Sequence, residues 1–86
     1  MKDEIHYQKA QVFLGTSEYE KAVRELQKIE EMTYDILTDD AVYLLGKIYE
    51  ENLKDITKAK DYYKKILVEF PGSIHVAEAR KRFREI

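Results

Sequence analysis

Gly15, Gly46, Gly72 and the adjacent Pro71 are the only strong helix breakers in this chain. Between them no stretch alternates apolar and polar residues as a half-buried strand must, while apolar residues recur at intervals of three and four. A chain punctuated this way folds into short helices joined by tight turns, and we read it as all-α. With 44% hydrophobic and 37% charged side chains, it is too apolar for disorder and too charged for a membrane span. Its 86 residues give one small domain, whose modest core leaves any solvent-facing apolar stripe wanting a partner.

The turn signals predict five helices. The first runs from about Asp3 to Leu14 and ends at Gly15, which is expected to take the left-handed conformation after it. Ser17 with Glu20 fits a capping box for the second, which carries Tyr19, Ala22, Val23, Leu26 and Ile29 at helical spacing. A loop near Met32 to Asp35 leads to Thr38, Asp39 and Asp40, whose side chains suit the start of a third helix bearing Val42, Leu45, Gly46 and Tyr49. Asp55 is the expected N-cap of the fourth, which bears Ile56, Ala59, Tyr63, Ile66, Leu67 and Phe70. Pro71 and Gly72 stop it. Ser73 is the expected cap of a fifth helix whose Val76, Ala79, Phe83 and Ile86 form one narrow stripe. Short turns imply antiparallel neighbours, in hairpins over 3–32 and 38–70 closed by a helix over 73–86.

The chain also repeats itself. Ala22, Leu26 and Ile29 recur 37 residues later as Ala59, Tyr63 and Ile66, and Ala10 and Phe13 recur 36 residues later as Gly46 and Tyr49. Gly46 in mid-helix costs about 1 kcal/mol against Ala, which close contact between helices would offset. Ala10, Ala22 and Ala59 permit the same approach, with Phe13, Tyr49 and Tyr63 filling the grooves beside them.

Val42, Leu45, Gly46, Tyr49, Ala59, Tyr63, Ile66 and Pro71 stand in the order found in the tetratricopeptide repeat (TPR) family, which this sequence resembles. One extra residue is needed around Asn52 to Asp55. Ala10, Phe13, Ala22, Leu26 and Ile29 fit a first unit, although His6 and Lys9 replace large apolar residues and Tyr34 stands where Pro is usual. The closing segment from Glu69 to Phe83 also resembles the ends of bacterial envelope proteins of this class. The resemblance implies a single domain over 1–86: a repeat unit over 3–36, a second over 39–71 and a capping helix over 73–86. It implies a right-handed superhelix of helix hairpins. Such arrays need about three units for stability, so two and a half imply either a piece of a longer array or self-association.

The sequence carries no phosphate loop, no His-Glu-x-x-His, no Gly-x-Ser-x-Gly and no calcium loop, so it is read as non-catalytic and without a cofactor. The absence of cysteine removes disulfides, thiol chemistry and cysteine-ligated zinc. His6 and His75, far apart and without carboxylates at ligand spacing, are expected on helix surfaces rather than at a metal. Glu30 with Glu31, and Glu50 with Glu51, diverge by about 100° on a helix and read as solvated faces. The net charge of −2 gives no long-range pull on nucleic acid or anionic lipid. Arg80, Lys81, Arg82 and Arg84 form one basic cluster, in which Glu78 should pair with Arg82 and Lys81 with Glu85, leaving Arg80 and Arg84 free. The polar start of the chain carries no signal-peptide core, which reads as cytoplasmic as written; a periplasmic or envelope site would follow if the chain were excised from a longer one.

Tyr7 and Tyr43 lie 36 residues apart, at a position that in the resembled family faces the concave groove. Tyr suits peptide recognition by offering large area at low entropic cost, and partial burial between helices would use the same residues equally well. The correspondence adds Gln11, Lys47 and Glu50 as neighbours, and Arg80 completes the candidate set. Family members that hold a peptide carboxylate do so with Lys, Asn and Arg; here those places hold Tyr7, Gln11, Leu44, His75 and Ala79, so that clamp is missing. The implied function is a protein-interaction module that takes a peptide or helix in its groove. A second reading is a structural element that stacks on neighbouring repeats or on its own copy, around His6, Lys9 and Ile86.

Overall fold

The computed structural model describes residues 2–31 and 37–86, with side chains described from Glu4 onward. Five helices follow one another: α1 Lys2–Gly15, α2 Tyr19–Glu30, α3 Thr38–Glu51, α4 Ile56–Glu69 and α5 Val76–Glu85. No strand occurs among the described residues. The loop expected at Met32 to Asp35, with Tyr34, lies outside them.

Each helix packs mainly on the next, α1 on α2, α2 on α3, α3 on α4 and α4 on α5. The small residues explain how. Ala10, Ala22 and Ala59 are wholly buried, and Gly46 is buried within α3. A Cβ on Gly46 would stand 2.7 Å from Cε1 and 3.0 Å from Cδ1 of the Tyr63 ring, so glycine is what lets α4 lay that ring against α3. Tyr49, expected in the core, is buried too and stacks on Tyr62 at 5.7 Å. On α5 only Ala79 is fully covered, while Val76, Phe83 and Ile86 are half-buried against the core.

The helix ends depart from expectation in four places. Gly15 stays helical, and the left-handed residue is Ser17, with φ of 62°. Amide bonds from Ser17 to Leu14 and from Glu18 to Phe13 close α1 around it in a Schellman arrangement. A serine spent on that reversal cannot also cap α2, so the Ser17–Glu20 capping box does not form and α2 starts from Glu18 with no side-chain cap. Thr38, Asp39 and Asp40 form the first turn of α3, which likewise has no side-chain cap. Ser73 precedes the cap position of α5, which His75 occupies; the Ser73 hydroxyl accepts from the His75 amide at 3.0 Å and donates to Asp39 at 2.7 Å. Asp55 caps α4 as expected, accepting from the Lys58 amide at 3.2 Å.

Candidate functional site

The expected groove residues fall into two groups. Tyr7 and Gln11 stand one turn apart on α1, and Tyr43 and Lys47 stand one turn apart on α3 at the corresponding positions. Tyr7 is half-buried; burial pushes its hydroxyl pKa up, the Asp40 charge adds to this, and a hydrogen bond with Gln11 opposes it. Tyr43 is also half-buried. It stacks face to face on His75 at 4.4 Å, lies 6.1 Å from the Tyr63 ring, and carries the Lys47 ammonium 6.0 Å above its centre. Burial raises its pKa and the Arg82 charge works against the rise. Lys47 makes no ion pair among the described residues, while Gln11 is exposed.

Glu50 is committed to the protein itself. Its Oε1 accepts from the Tyr63 hydroxyl at 2.7 Å and from Arg82 at 3.0 Å. Arg82 also reaches Glu51 at 3.2 Å and Glu78 at 3.3 Å, so one guanidinium ties α5 to the end of α3. Burial alone would lower the Arg82 pKa, but the Glu50 bond and the neighbouring Tyr63 and Tyr43 outweigh it and hold it charged. Burial and then Glu50 push the Tyr63 hydroxyl far above the usual tyrosine range.

Arg80 stands apart from this group. Two residues from Arg82, it points about 160° away around α5, is exposed, and pairs with nothing among the described residues, as does Arg84. Of the two pairs expected on α5, Glu78 with Arg82 forms, whereas Lys81 with Glu85 does not.

The two histidines are not the surface residues expected. His6 on α1 bonds Glu25 of α2 at 2.9 Å, and Lys28 bonds the other carboxylate oxygen at 3.0 Å. His75 bonds Asp40 at 2.5 Å while stacking on Tyr43. Spacing along the chain concealed both, because the partners lie 19 and 35 residues away and meet only when helices pair. The His6 bond is the chief cause holding the Glu25 carboxyl below its ordinary pKa, against the burial that would raise it. Among the described residues no group of three or more His, Cys, Asp or Glu could hold a metal ion. No helix of the described chain is long and apolar enough to cross a membrane.

Sequence reasoning gave no sign of an open cleft of about 480 Å³ between α2 and the α3–α4 turn, lined by residues that include Arg24, Gln27, Tyr49, Leu53 and Lys58. Tyr49, two residues from Lys47, places this cleft on the opposite side of α3 from the Tyr43 and Lys47 face.

Residues 40–73, which span nearly all of α3, the whole of α4 and the turn after it, match the tetratricopeptide repeat family. No curated protein and no solved structure matches the chain. Repeats of this family generally mediate contacts between proteins and are typically non-catalytic scaffolds. The match over 40–73 and the five successive helices, with Gly46 closed on Tyr63, support a TPR-type repeat fold for this chain.

Proposed function

We propose that the chain is a non-catalytic interaction module that holds a peptide or helix against the face shared by α1 and α3, with Tyr7, Gln11, Tyr43 and Lys47 as its contacts. The observation behind this is the repetition of one local device, a half-buried tyrosine with a polar side chain one turn on, at the same register of two helices. Tyrosine rings already held by their surroundings lose little entropy on binding, and Lys47 has no carboxylate to give up. Glu50, only about 20° from Tyr43 around α3, is already bound to Tyr63 and Arg82, and Arg80 points away from Arg82 on α5. Peptides selected from a random display library and titrated into isotope-labelled protein are expected to shift the backbone signals of Tyr7, Gln11, Tyr43 and Lys47. Shifts confined to Arg24, Leu53 and Lys58 would move the binding function to the opposite cleft.

A further inference from the structure

The side of α1 turned away from the rest of the molecule repeats a side of α3 that is covered. Ile5, Gln8 and Val12 stand 36 residues before Ala41, Leu44 and Ile48. Both helices also carry a small residue at the matching position, Ala10 in α1 and Gly46 in α3. Gly46 marks the side of α3 that meets α4, through Tyr63. Ala41 and Ile48 point about 140° and 160° away from Gly46 around the helix, toward the neighbour on the other side, which is α2. There they are fully buried, at 0% and 1% exposure. Their counterparts are open: Ile5 is 51% and Val12 65% exposed, on one stripe with exposed Gln8. So α3 is held between two helices, whereas α1 has a helix on its Ala10 side alone among the described residues.

We propose that the Ile5, Gln8 and Val12 stripe is a docking surface for an amphipathic helix of α2-like chemistry, supplied by a partner protein. The way α2 lies on α3 is the template. A helix of that kind offers apolar residues three apart, as Val23 and Leu26 do, both of which are buried in α2. Lys9 stands at the register of buried Leu45 and is exposed with no ion pair among the described residues, so the occupant carries a carboxylate beside its apolar stripe to meet it. A second copy of this chain is the poorer occupant: set antiparallel on itself, the stripe would pair Ile5 with Val12 but bring the two Lys9 ammonium groups together. The other large apolar residues left exposed on helices, Ile56 and Val68, sit at opposite ends of α4 and about 120° apart around it, so they make no matching stripe.

The test uses the α2 sequence itself, Tyr19 to Glu30, as a synthetic peptide cross-linked between its Glu20 and Arg24 positions so that it is helical before binding. Titrated into the isotope-labelled full chain, it is expected to shift the signals of Ile5, Gln8 and Val12. Val12→Glu, at an exposed site that leaves the helical circular dichroism unchanged, should weaken binding by about tenfold or more. A peptide that shifts no α1 signal, binds the Val12→Glu protein equally well, or binds no better than its scrambled form overturns the proposal. Sedimentation showing a dimer that Val12→Glu abolishes overturns it as well, by giving the surface to a second copy.

Discussion

The Tyr63 hydroxyl donates to Glu50 at 2.7 Å while the edge of its ring fills the place that a Gly46 side chain would need. One residue of α4 is thus gripped at both its edge and its tip by α3. The ring is fully buried and its hydroxyl is bound, so it cannot swing aside to admit even a methyl group. We expect Gly46→Ala to destabilise the fold by about 1–3 kcal/mol from overpacking, less about 1 kcal/mol recovered from helix propensity. Urea unfolding measures the difference; a variant more stable than the parent would show that the ring yields.

Tyr63→Phe separates the two grips. The ring stays and the hydroxyl goes, leaving Glu50 with Arg82 alone, so the expected loss is about 0.5–1.5 kcal/mol. Combined with Arg82→Met, the effect should depart from additivity, because both side chains bind the same Glu50 oxygen. A double-mutant cycle by chemical denaturation gives the coupling.

Arg82 holds three carboxylates from two helices, with Glu50 on the inner side. Arg82→Met should expose α5 ahead of the other helices, with a loss of about 1–3 kcal/mol in the stability of its docking. Hydrogen exchange should rise at amides from Ala79 onward while those of Leu26 and Ile29 stay protected. Arg80→Met, the change at the exposed neighbour, should leave exchange as it was.

The acid limb of stability should report on Glu25. Its pKa in the folded protein is lowered, chiefly by His6, so its contribution is fully present above the unfolded carboxylate value of about 4.3 and is lost as pH falls through the lower folded value. Glu25→Gln should flatten the dependence of the unfolding midpoint on pH in that window. An unchanged slope would mean that the carboxylate is not stabilised by folding.

The order of helices and the close approach at Gly46 could be read from residue spacing, because periodicity and small residues are properties of one helix and its nearest neighbour. The roles of His6, His75, Glu50 and Arg82 could not. Each depends on a carboxylate or cation brought by another helix, and the Arg82 to Glu50 pair is separated by 32 residues. Spacing on α5 alone showed only the weaker partner, Glu78. The misplaced turn at Gly15 has a similar cause. Glycine tolerates the left-handed conformation best, but Ser17 takes it because Thr16 and Glu18 continue the bonding of α1 past Gly15. The shared register of Tyr7 with Tyr43 and of Gln11 with Lys47 is visible in the sequence as a 36-residue repeat, whereas Arg80 points about 160° away from Arg82 around α5.

The fastening of α5 is part apolar, through Ala79 in the shared core with Val76, Phe83 and Ile86 against it, and part polar. Its hydrogen bonds to α3 run through Arg82 and through Ser73 and His75 in the turn ahead of it. Concentrated salt screens ionic contacts and strengthens apolar ones, so the same brine that tightens the body of the molecule should slacken these polar ties to its last rod. The polar share of the hold on α5 is therefore set by the ionic surroundings.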